Sequence, residues 1–175
     1  MSGRAEGEGR SSGAGGTSVH LRPAREADLP ALVPLLLRLK RLNEEFDPLL
    51  KVRDDAEVQA RQLLKADLAN PRAVVLAAEG VGADRDKVVG FVRALVRERP
   101  FYAPENEGVI LDIYLLPLYR RRGVGEYILR ETVNALKAKG AGIVTAEFPA
   151  QNEIANRFYS KRGFRPITAV QARSL

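Results

Sequence analysis

The chain has 175 residues, 45% hydrophobic and 29% charged, which suits one compact domain and leaves too little length for two of ordinary size. It has no cysteine and a single histidine, His20. That excludes a disulfide framework, a thiolate zinc site and a cysteine nucleophile, and it speaks against histidine catalysis or a multi-histidine metal site. The net charge of +6 and pI near 9.8 suit an anionic partner, whether nucleic acid, a membrane or a phosphorylated small molecule, without choosing among them.

Residues 1–18 are rich in glycine and serine and lack apolar periodicity, so they read as a flexible tail ahead of a folded domain over 19–175. Arg4 and Arg10 balance Glu6 and Glu8 there, which assigns the positive excess to the folded part. The start lacks the apolar block of a secretory signal, and no apolar run approaches a membrane span, so the cytoplasm is the expected location.

Order begins at "SVHLRP", a short strand. "EADLPALVPLLLRLKRL" follows with Asp28 as N-cap and leucines at helical spacing, with Pro34 implying a kink or a later start. A second helix is expected at about Asp55–Leu68, closed by Asn70-Pro71. "RAVVLAAEG" and "KVVGFVRALVRER" read as two strands around a turn at Gly80–Asp86, and "EGVILDIYLL" as a third, stopped at Pro117. From Gly123 to Lys139 the spacing predicts a helix with Ile128, Leu129, Thr132, Val133 and Leu136 on one stripe, ended by Gly140. "GIVTAEF" is a strand stopped by Pro149. "NEIANRFYSKRG" is a helix starting near Asn152 and ended by Gly163, and "FRPITAV" is a candidate last strand. The order β-α-α-β-β-β-α-β-α-β implies an α/β (α+β) fold built on one mixed sheet with helices on both faces.

The densest chemistry lies in "LYRRRGVGEYILRE", residues 118–131. A strand that ends and re-enters a helix leaves several first-turn N–H groups without partners, all aimed one way, and the helix dipole adds partial positive charge. Gly123 and Gly125 remove side chains that would hold a ligand off those amides. Arg120, Arg121 and Arg122 add formal charge beside them. The combination suits phosphate or pyrophosphate. No P-loop pattern is present. A dinucleotide fingerprint is approached, since Glu147 lies about twenty residues on at a strand end. It fails at Ile128, too bulky for a third glycine, and at the six residues between strand and Gly123.

The chain resembles the GNAT superfamily of acetyl-CoA-dependent N-acetyltransferases over residues 19–166. Arg120, Gly123 and Gly125 match the family's Arg/Gln-x-x-Gly-x-Gly/Ala pattern. "LDIYLLPLYR" looks like its fourth strand, and "NEIANRFYSKRGF" resembles its later motif through Asn152, Ala155, Phe158, Tyr159, Gly163 and Phe164. "RPAREADLP" and "VVGFV" are similar to the opening strand–helix and the third strand.

The resemblance implies a GNAT-like acyl-CoA N-acyltransferase fold with a single, mostly antiparallel sheet of six to seven strands. It implies acetyl-CoA as co-substrate, no metal, and direct transfer to a primary amine in a ternary complex. Arg120, Arg121, Arg122, Gly123, Val124 and Gly125 would hold the pyrophosphate. Leu115 and Leu116 would face the thioester end, beside a bulge that splays the fourth strand from the fifth, with the Leu115 region donating an N–H to the carbonyl. Tyr159 would protonate the leaving thiolate, against the alternative of a core aromatic beside Phe158. Asp112 and Glu147 are alternative bases, and a water chain is a third. Asn152 would contact the coenzyme while capping its helix. Glu44, Glu45 and Asp47 would line the acceptor pocket, or else form a solvated helix end.

Relatives often form homodimers, which makes a homodimer possible here. Two other readings stay open: a basic nucleic-acid- or ribosome-associated module, and a CoA-binding regulator without turnover. At 6% aromatic residues and without an RNA-binding aromatic motif, nucleic acid is expected only through an associated protein substrate. The acceptor is open among small molecules, peptide N-termini and lysines.

Overall fold

The computed structural model describes residues 19–120 and 123–175. Nine elements follow in order: β1 (Val19–Pro23), α1 (Leu29–Glu44), α2 (Ala56–Ala69), β2 (Ala73–Gly80), β3 (Val88–Glu98), β4 (Asn106–Leu115), α3 (Val124–Ala138), β5 (Ile143–Ala146) and α4 (Glu153–Ser160). The strands form one sheet in the order β1-β2-β3-β4-β5. The first three pairings are antiparallel, and β4 pairs with β5 in parallel across the α3 crossover. No helix among the described residues is long and apolar enough to cross a membrane.

Strand alternation sends side chains to two cores. On one face Val74, Leu76, Val92, Ala94, Ile110 and Leu115 pack against Val124, Ile128, Leu129 and Leu136 of α3 and Tyr159 of α4. On the other, Val75, Phe91 and Tyr114 meet Leu32, Val33 and Leu36 of α1 and Leu64 of α2. Helices therefore cover both faces of a mostly antiparallel mixed sheet.

Three local expectations change. The described residues form five strands, not six to seven. "FRPITAV" pairs with nothing, because the left-handed turn at Gly163 (φ 83°) sends Phe164 back onto Tyr159 with ring centroids 5.1 Å apart. Pro166 then offers no N–H to a ladder. Pro34 does not delay α1, which begins at Leu29 and continues through it to Glu44. Asp28 occupies the N-cap position without capping α1: its carboxylate takes both Nη atoms of Arg22 (2.7 and 2.8 Å) and the Arg25 amide (2.7 Å).

Candidate active site

The site begins with one extra residue in β4. Arg93 stands opposite Asp112, but Ala94 stands opposite Ile110, so Leu111 is a bulge with no partner on β3. Pairing with β5 stops at the same place: Ile110 and Ala146 are the last opposed pair, and the Glu147 amide adds one bond to the Ile110 carbonyl at 2.9 Å. From Leu111 to Leu115, β4 keeps β3 on one side and leaves β5 on the other. The Leu116 amide donates to Val89 O at 2.9 Å. Antiparallel alternation then turns the polar backbone groups of Leu115 and Ile113 away from β3, into the opening. The Leu115 carbonyl accepts Arg120 Nε at 2.8 Å, and its N–H faces the same side.

At the top of the opening the chain makes a short 3₁₀ turn, Pro117–Tyr119, and enters α3. Arg120 is held by Leu115 O and lies 5.3 Å over the Tyr114 ring. Arg121 and Arg122 lie outside the described residues. Gly123 is the N-cap of α3 at φ 86° without a side-chain cap, so the first-turn amides of this 15-residue helix keep no side-chain acceptor. Val124 is buried in the α3 core, so only its backbone is available to a ligand. Gly125 also makes room for a neighbouring ring: a Cβ there would lie 2.9 Å from Phe158 Cε2. Its missing side chain lets α4 seat against the first turn of α3.

Tyr159 projects from α4 into a box of aromatic rings. Phe148 stacks on it at 5.2 Å and 9°, and Phe158 and Phe164 present edges at 5.1 Å. Burial pushes its phenol up to about 12. No hydrogen bond within the described residues uses its hydroxyl. The ring is thus part of the core, while the hydroxyl stays a protonated donor without a partner among the described residues.

The carboxylates separate. The Asp112 side chain is 1% exposed, and both its oxygens are taken, by Lys40 Nζ at 2.5 Å and Arg93 Nη1 at 2.9 Å. Arg93 also holds Asp67 of α2. Burial and two cationic partners make Asp112 a tie between β4 and the α1–α2 face. Glu147, by contrast, is half exposed with Arg97 as its partner at 3.0 Å, and it sits where β4 and β5 part. Asn152 caps α4, its Oδ1 accepting the Ala155 amide at 3.0 Å. Glu44 accepts the Val52 amide and Asp47 the Leu49 amide, so two of the three acids at and just past the end of α1 serve local backbone. Glu45 borders an open groove of about 400 Å³ with Pro34, Arg38, Arg41 and Leu42, a lining with more cations than anions. Among the described residues no group of three His, Asp or Glu side chains could hold a metal ion. The contacts of Asp112 with Lys40 and Arg93 carry no local sequence signal, since they join residues 72 and 19 positions apart.

The architecture is a mixed sheet whose fourth strand parts from the fifth, with an open backbone edge leading to a glycine-started helix. The chain belongs to the GNAT acetyltransferase family, whose model matches residues 38–164. No curated protein matches it in sequence. Its fold is similar to that of an acetyltransferase from Clostridium acetobutylicum solved with acetyl-CoA, at 18% identity and TM-score 0.71 over 89% of this chain and 96% of that one. It is also similar to an aminoglycoside 6'-N-acetyltransferase from Acinetobacter haemolyticus, at 21% identity and TM-score 0.67 over 89% and 97%. A protein from Bacillus halodurans described as a transcriptional regulator matches at 19% identity and TM-score 0.69 over 90% and 99%.

Proposed function

We propose that this protein transfers the acetyl group of acetyl-CoA directly to a primary amine in a ternary complex. The observation that carries the reading is the bulge at Leu111. It ends the β4–β5 ladder and leaves the Leu115 N–H on an open edge below the α3 N-terminus. Membership of the GNAT family supports acetyl-CoA as the ligand of that opening.

The residues present fit acetyl-CoA. The first-turn amides from Gly123 to Gly125 suit its diphosphate, with Arg121 and Arg122 supplying charge. The edge from Leu111 to Leu116 offers backbone donors and acceptors to an amide-rich arm. The Leu115 N–H would bond the thioester oxygen as negative charge develops there, a contact worth about 3 kcal/mol in comparable sites. A nucleophilic amine must be neutral, and a lysine-type amine has a reference pKa of about 10.4, so a base or water chain must take its proton. Glu147 is better placed for that than Asp112. The amine nitrogen then attacks the carbonyl carbon, the C–S bond breaks, the departing thiolate takes a proton from the Tyr159 hydroxyl, and the proton shed by the new amide nitrogen restores that hydroxyl. The acceptor class remains a primary amine on a small molecule, peptide N-terminus or lysine, in a monomer or homodimer. Asn152 would touch the coenzyme from its capping position, and Glu45 is the acid after α1 left for an acceptor.

Thiol release from acetyl-CoA against a panel of amines and peptides tests the reading, alongside calorimetry with CoA. One saturable CoA site and amine-dependent thiol release are expected. CoA binding without thiol release for any amine would leave a regulator, and salt-sensitive nucleic-acid binding without CoA affinity would replace the proposal altogether.

A further inference from the structure

At the end of the sheet where β4 finishes, the turn between β2 and β3 stands beside the segment that leads into α3. Tyr119 closes the 3₁₀ turn after β4, and its hydroxyl donates to Asp84 Oδ2 at 2.6 Å across 35 residues of sequence. The other Asp84 oxygen accepts Lys87 Nζ at 2.9 Å. The Tyr119 hydroxyl, and after it Lys87, holds the Asp84 carboxyl below the usual carboxylate range.

This contact does not close the β2–β3 hairpin. That turn already has Gly80 N to Lys87 O at 3.0 Å, Lys87 N to Asp84 O at 3.1 Å and Arg85 N to Gly82 O at 3.2 Å. Asp84 is seated close by design: a Cβ on Gly80 would fall 2.7 Å from Asp84 Cβ and 2.8 Å from its carbonyl oxygen. The beneficiary is the other partner. The segment from Leu116 to Arg120 is tied to the sheet by Leu116 N to Val89 O and by Arg120 Nε to Leu115 O. Tyr119 adds a fixed point outside the sheet, immediately before the arginine run and Gly123.

We infer that Asp84 and Tyr119 are positioning residues for coenzyme binding. Asp84 holds the Pro117–Tyr119 turn through the tyrosine hydroxyl, so that the first-turn amides of α3 face the diphosphate. The inference rests on the acetyl-CoA reading above and adds the β2–β3 turn to the binding apparatus. Electrostatics alone gives the opposite expectation for one variant: removing an anion beside a cationic phosphate site should tighten binding.

The test is CoA affinity by calorimetry with acetyl-CoA KM and kcat, in the full chain, for Asp84→Ala, Asp84→Asn, Tyr119→Phe and the Asp84→Ala/Tyr119→Phe double variant. D84A and Y119F should each raise Kd and KM about fivefold or more with kcat within about twofold of the parent, the pattern of lost uniform binding. The double variant should be no worse than either single one, because both remove the same bond. D84N keeps an acceptor oxygen and should retain most of the affinity. Asp84 lies in a surface turn, so D84A keeps the test usable if Y119F folds poorly. Parent-like or tighter binding by D84A, or additive losses in the double variant, overturns the positioning role while leaving the acetyl-CoA reading intact. A parent protein without saturable CoA binding overturns that reading first, and this one with it.

Discussion

Tyr159→Phe removes one oxygen from a ring whose packing is otherwise complete. The ring stacks on Phe148 at 5.2 Å and meets Phe158 and Phe164 edge-on, contacts that phenylalanine keeps. The hydroxyl forms no bond within the described residues, so its loss should change stability by less than about 1 kcal/mol near neutral pH. Its catalytic loss should be large: removing a positioned proton donor lowers kcat by about 100-fold or more. The two effects separate further in alkali. Burial raises the phenol from 10.0 to about 12, so the folded chain keeps a proton that the unfolded chain releases. The stability from that proton is fully present below pH 10 and is lost as pH rises through 12. The loss is about 2–3 kcal/mol across the window, and Y159F should lack it. Chemical denaturation at pH 8 and pH 11.5, with thiol-release kinetics at pH 8, reads all three quantities. An unchanged kcat would remove Tyr159 from the acid role. A large stability loss at pH 8 would show that the hydroxyl has a structural partner.

Asp112→Asn should leave Lys40 and Arg93 facing a neutral group in a nearly closed site, at a cost of about 3–5 kcal/mol or of order 10 °C in melting temperature; lost turnover with unchanged melting would restore Asp112 as the base. Glu147→Gln acts on a half-exposed carboxylate, so it should lower kcat at neutral pH more than at pH 9, where more amine is already neutral, with melting almost unchanged; equal activity at both pH values would assign proton removal to water. Gly125→Leu drives a side chain into Phe158, whose ring already stands 2.9 Å from a Cβ position, so it should destabilise the chain by about 1–3 kcal/mol and weaken CoA binding; parent-like calorimetry would separate this turn from the diphosphate.

The elements built from local chemistry were legible in the sequence. The helix at Val124–Ala138 falls within one residue of the expected span because Gly123 and Gly140 mark its ends, both at positive φ. The helix after Asn152 starts where its capping side chain says it should. What the local sequence hides are contacts with distant partners. Nothing near Asp112 in sequence shows that Lys40 and Arg93 occupy both its oxygens, and nothing near Gly125 shows that Phe158 fills the space of its missing side chain. The last strand failed for a local reason that was present: Gly163 followed by Pro166 turns the chain and removes an N–H.

One sequence signal for the site was available. In "VILDIY" an unbroken strand would put Ile110 and Asp112 on the same face, and Ile110 is part of the apolar core against α3. A carboxylate there would meet no partner, at a cost of several kcal/mol. The extra residue at Leu111 resolves the conflict. It reverses the alternation, so Asp112 and Tyr114 face α1 while Ile113 and Leu115 return to the α3 side. The same residue coincides with the end of the ladder to β5. Burying Asp112 with its cations and freeing the β4 backbone edge from β5 are therefore two consequences of one bulge.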